Sequence, residues 1–118
     1  MSSKDEANPP RHVLLFSGHM IDAPGRKEPR FPPSKEASVA DAIAAVLDRA
    51  DVAAGPADLA ICGGACGGDL LFAEACLAHG TALEMYVGFD EKAFLADSID
   101  FANANWRDRF LAAKGKGT

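Results

Sequence analysis

The alternation of apolar and polar positions divides the chain into short runs and one long amphipathic stretch. His12-Val13-Leu14-Leu15-Phe16-Ser17 is a nearly continuous apolar run ending at Gly18, the pattern of a parallel strand buried on both faces. Val39, Ile43, Val46, Leu47 and Ala50 recur at helical spacing and predict an amphipathic helix. Ser38 with Asp41 reads as its capping box, Ser34 offers an earlier cap, and Gly55-Pro56 stops it. A second strand follows over Ala57–Cys62. Leu70–His79 reads as a helix that is apolar on most sides, closed by Gly80 at a left-handed cap. Leu83–Phe89 predicts a third strand. Asp90 caps a short helix over Glu91–Ala96, and Asn103 or Asn105 caps a last one carrying Trp106, Phe110 and Leu111.

Strand–helix alternation implies parallel strands joined by right-handed crossovers. The expected fold class is α/β, a three-layer Rossmann-like parallel sheet with three core strands, small or truncated. Residues 12–113 form the single domain, between a polar tail at 1–11 and a frayed one at 114–118. The segment 18–34 holds Pro24, Pro29, Pro32 and Pro33, which deny it regular structure. A loop of that length in a small domain points to function or disorder.

Composition narrows the class further. With 118 residues, 48% hydrophobic and 25% charged, the chain suits one globular domain and excludes a collagen, a coiled coil or a disordered protein. Seventeen acids against 12 bases give a net charge of −5, which argues against binding duplex nucleic acid. No run approaches the roughly 18 apolar residues of a membrane span, and the polar N-terminus is not a secretory signal. Three cysteines, Cys62, Cys66 and Cys76, close no disulfide framework and fit a reducing cytoplasm. Cys62, Cys66 and His79 supply too few ligands for structural zinc. No metal and no cofactor is identified.

The most informative stretch is Ile61-Cys62-Gly63-Gly64-Ala65-Cys66-Gly67-Gly68-Asp69. Glycines between a strand and a helix let backbone amides approach an anion at the positive helix end. Gly63, Gly64, Gly67 and Gly68 are therefore candidate phosphate ligands, with tight strand–helix packing as their other reading. Asp69 reads either as a ribose acceptor or as a complement to the helix dipole. Gly18, His19 and Asp22 follow the first strand and fall near this turn if the two strands are neighbours. Arg26, Lys27, Arg30 and Lys35, four of the 12 bases, lie close together, and Arg26 and Arg30 would neutralise a polyphosphate. Gly64-Ala65-Cys66-Gly67-Gly68 also fits a nucleophile elbow. That reading makes Cys66 the catalytic candidate of a hydrolase or amidotransferase, with His19 or His79 as base. A third class is a self-association module, since a three-stranded sheet has open edges.

Two motifs give the chain a family likeness. Phe16-Ser17-Gly18-His19-Met20-Ile21-Asp22 and Gly63-Gly64-Ala65-Cys66-Gly67-Gly68-Asp69-Leu70-Leu71-Phe72-Ala73-Glu74 resemble turns of the SLOG superfamily, the Rossmann-like domains grouped around the SMF/DprA and LOG proteins. The likeness runs from about Val13 to Phe110 and is nearest to SLOG segments of larger bacterial proteins. It implies a nucleotide or nucleotide-derived ligand over the strand C-termini, bound by a sensor more than by an enzyme. It also implies a longer sheet, whose missing strands would come from a larger chain or from a second copy in a homo-oligomer. LOG phosphoribohydrolases carry Gly-Gly-x-Gly-Thr-x-x-Glu. Here Gly68 replaces the threonine, Leu71 falls where the glutamate is expected, and Glu74 comes later. DprA-like members bind single-stranded DNA through basic surfaces, and Cys66 stands where that turn is often basic.

Overall fold

The computed structural model describes residues 12–55, 57–87, 90–102 and 105–116. Three parallel strands, β1 (Val13–Phe16), β2 (Leu59–Cys62) and β3 (Leu83–Met85), lie in the order β1-β2-β3. Between and after them run α1 (Glu36–Ala54), α2 (Gly68–Ala78), α3 (Glu91–Ser98) and α4 (Trp106–Lys116). The chain is thus a small α/β Rossmann-like fold with strand–helix alternation.

Register explains where the core lies. Leu14 pairs with Ala60 and Phe16 with Cys62, while Ala60 and Cys62 pair onward with Leu83 and Met85. These six side chains share one face, which α1 and α2 cover. Phe16 stacks on Phe72 of α2 with ring centroids 4.7 Å apart. Phe94 of α3 meets Phe110 of α4 at 5.4 Å, and Phe110, Leu70 and Ile99 are fully buried. Each such side chain contributes about 2–3 kcal/mol by leaving water.

The opposite face carries Val13, Leu15, Leu59, Ile61 and Glu84, and there Leu15 is 80% exposed. Among the described residues β1 is therefore buried on one face only.

Helix boundaries follow local chemistry. A 3-10 turn over Pro33–Lys35 leads directly into α1, whose N-cap Lys35 makes no side-chain cap. Ser38 therefore lies inside the helix and the Ser38–Asp41 box does not form, because the fixed φ of Pro33 starts the helical turn earlier. Gly80 adopts φ 78°, as expected of a left-handed cap. Asp90 caps α3 by accepting from the Ala93 amide at 3.1 Å, and the helix runs two residues past Ala96 to Ser98. β3 ends at Met85; Gly88 and Phe89 of the expected strand lie outside the described residues. So does Asn103. α4 continues through Lys116, and Lys114 pairs with Glu91 of α3, so residues 114–116 are helical, while residues 117 and 118 of the expected tail lie outside the described residues. No described helix is long and apolar enough to cross a membrane.

Candidate functional site

Both motif-bearing loops emerge at the C-terminal ends of neighbouring strands, β1 and β2. Their backbones meet directly. Met20 and Gly67 form an isolated antiparallel bridge, in which the Ile21 amide donates to Cys66 O at 3.2 Å and the Gly68 amide to His19 O at 3.0 Å. The structure thus brings Gly18 and His19 against Gly67 and Gly68, as strand adjacency predicted.

The turn itself is filled by protein. Gly67 has φ 99°, and a Cβ there would collide with the Ile21 nitrogen. A Cβ at Gly63 would stand 2.7 Å from Asp69 Oδ2, and one at Gly64 would stand 2.9 Å from the Phe110 ring. These three glycines admit a loop backbone, a carboxylate and an aromatic ring from the chain itself. The amides of Cys66 and Gly68 are taken by Ser98 O and His19 O, so neither is offered to a phosphate.

Asp69 completes this closure. Its carboxylate accepts from the backbone amides of Gly18 and Ala65, joining the loop after β1 to the loop after β2. Burial raises its pKa above the usual 3.8, and those two amides work against the rise. A carboxyl group of the chain itself therefore already occupies the place next to the helix N-terminus.

Asp22 has a comparable internal duty. Buried to 7% exposure, it accepts from the Arg30 and Phe31 amides, each at 3.0 Å, while its own amide donates to Phe31 O at 2.7 Å. Both ends of the proline-rich loop are knotted together, and Ile21 and Phe31 anchor it in the core. Arg26 stays within the loop, donating to Glu28 O at 2.8 Å and lying 3.8 Å from Asp22.

The thiols are interior groups. Cys66 is fully buried, and burial pushes its pKa up to about 11. Only about one molecule in ten thousand carries the thiolate at neutral pH, the reverse of the depressed pKa that a nucleophile elbow needs. Cys62 and Cys76 are raised by burial in the same way, to about 12 and about 11. His79 sits at the far end of α2, its Nε2 3.2 Å from Asp48 Oδ1. Glu74 is also committed, accepting two bonds from Arg109 at 2.6 and 2.8 Å.

What remains open lies beside the turn. A cavity of about 530 Å³ is bounded by Phe16, Gly18 and Gly68 on one side and by Arg30, Phe31 and Lys35 on the other. His19 stands at its rim, and Pro29, Pro32 and Val39 complete an apolar wall. Of the sequence candidates, the site gathers Gly18, His19, Arg30 and Gly68. Asp22 and Arg26 line a smaller cavity of about 160 Å³ that shares His19 and Arg30 with it, while Gly63, Gly64, Cys66, Gly67 and Asp69 are taken up by contacts within the chain. Phe16, Phe31 and Lys35 are additions. The one sequence signal for Phe31 is an isolated aromatic amid prolines, a residue that has to find an apolar partner. Among the described residues no cluster of His, Cys, Asp and Glu has the size of a metal site. No family model, no curated protein and no solved structure matches this chain.

Proposed function

We propose that the chain is a SLOG-type binding domain for a nucleotide or nucleotide-derived small molecule, acting in a reducing cytoplasm as a sensor and not as a catalyst. The observation that carries this reading is the cavity at the C-terminal end of β1, whose lining combines Arg30, Lys35 and His19 with Phe16 and Phe31. Cationic groups suit phosphate oxygens, and an apolar aromatic wall suits a base. Its place outside the carboxyl ends of parallel strands agrees with ligand binding in open α/β sheets. In this reading the phosphate meets side chains, since the glycine-turn amides of Cys66 and Gly68 are engaged. The sensor reading is favoured over thiol catalysis by the burial of Cys66, and over N-glycosidase chemistry by the pairing of Glu74 with Arg109.

The test is a thermal-shift and calorimetric panel of nucleoside mono-, di- and triphosphates, cyclic nucleotides and ADP-ribose, run on the chain and on Arg30→Glu/Lys35→Glu. Both positions are exposed, so the double variant keeps its fold. Binding of at least one panel member is expected, weakened about tenfold to a hundredfold in the variant by the loss of charge-assisted contacts. A panel without any stabilising member overturns the proposal, and so does a ligand that binds the variant equally well.

A further inference from the structure

The outer edge of β1 and the flank of α1 carry features that ligand binding leaves unused. Among the described residues β1 has a strand neighbour on one side only, and the other side of such a strand is a template for pairing through its backbone N–H and C=O groups. Val13 and Leu15 there are 44% and 80% exposed, and Val46 on α1 is 52% exposed. Between β1 and α1 runs an apolar groove of about 440 Å³, floored by Leu14 and Phe16 and walled by Ala42, Ile43 and Val46.

We propose that this edge is a homodimer interface. The β1 strands of two copies pair antiparallel across a two-fold axis normal to the sheet, giving one six-stranded sheet with the two α1 helices side by side. The flank of α1 is what selects a second copy over an unrelated strand. Ser38, Ala42, Ala45, Arg49 and Ala53 form one exposed row at helical spacing, mostly small residues that let helix axes approach. Ala45 is the midpoint of α1 (Glu36–Ala54), and Asp41 and Arg49 lie four residues either side of it. Neither makes an ion pair among the described residues. A two-fold axis beside Ala45 sets Asp41 of each copy against Arg49 of the other, so the charge pattern is complementary to itself.

Paired strands lie about 4.8 Å apart, and α1 flanks Leu14 and Phe16 of β1 across the groove, so pairing the two β1 strands brings the two α1 helices into each other's neighbourhood. Leu15 and Val13 of both copies then meet on the face away from the helices.

Sedimentation equilibrium of the full chain, from micromolar to millimolar, tests this with four variants: Leu15→Lys, Asp41→Arg, Arg49→Asp and the double charge swap. A reversible dimer is expected. Leu15→Lys and either single reversal should weaken it about tenfold or more, and the double swap should bring it back to within about threefold of the parent. Matching melting curves show that the variants fold, as exposure of all three side chains requires. A chain that stays monomeric at millimolar concentration overturns the proposal. A dimer indifferent to Leu15→Lys, or one that the double swap does not restore, overturns it equally.

Discussion

Replacing Gly67 with alanine should remove most of the stability of the domain, although the new methyl meets backbone atoms and no core side chain directly. The first contribution is conformational. At φ 99° and ψ −129° an L-residue is strained by about 2–3 kcal/mol. The second is contact. The new methyl collides with the Ile21 nitrogen and stands 2.9 Å from His19 O, both backbone atoms without freedom to turn aside. The loop has to withdraw, giving up the bonds Ile21 N to Cys66 O and Gly68 N to His19 O, worth about 1 kcal/mol each. Partial exposure of Ile21, now 2% exposed, adds about 1–2 kcal/mol. The sum is about 5–7 kcal/mol, comparable with the whole stability of many domains of this size. Gly80→Ala is the internal control: φ is 78°, and nothing lies within 4 Å of its Cβ. It should cost about 1 kcal/mol. Urea unfolding followed by circular dichroism measures both. If Gly67→Ala loses no more than Gly80→Ala, the contact argument is wrong. The same reasoning makes substitutions at Gly67 a test of folding and a poor test of ligand binding.

Two further predictions concern charged groups inside the frame. Arg109 binds Glu74 at 2.6 and 2.8 Å and Glu36 at 2.7 Å, and lies 4.1 Å over the Trp106 ring, so it ties α4 to α1 and α2. Arg109→Met should cost about 2–3 kcal/mol, because two carboxylates lose their shared partner; a change in urea midpoint equivalent to under 1 kcal/mol would contradict this. Asp69 has a native pKa raised above 3.8, first by burial, so the folded state holds its proton to higher pH than the unfolded one. The stabilisation is complete below pH 3.8 and is lost as pH rises through the raised native value. The stability difference between the parent chain and Asp69→Asn should therefore move against the parent as pH increases from 3.5, and a pH-independent difference would refute the assignment.

Local signals carried the elements. The apolar stripe of α1, the Asp90 cap and the positive-φ Gly80 each act within a few residues, and each is found where the chain's pattern puts it. The exposure of one face of β1 was not legible, because no residue near β1 states which strand will be its neighbour. Strand order alone leaves Leu15 uncovered. The glycine turn was legible as a place of close approach, but not what approaches. A phosphate, the backbone of residues 19–21 and the Asp69 carboxylate all require the same missing Cβ. Ser38 misled for a related reason: the prolines ahead of it had already set the helical turn. Asp22 and Asp69 carry the polar character of ligand contacts, yet their partners are amides of the chain itself, and that assignment depends on the tertiary fold.

Trp106 is the only tryptophan of the chain. It is 3% exposed, with the Arg109 guanidinium above its ring. Its emission therefore reports the burial of the first turn of α4, the helix that packs on α2. Circular dichroism, by contrast, weighs every helix. Coincidence of the two signals during unfolding would make the domain one cooperative unit. An earlier red shift in fluorescence would make α4 a separately detaching segment, visible without any added label.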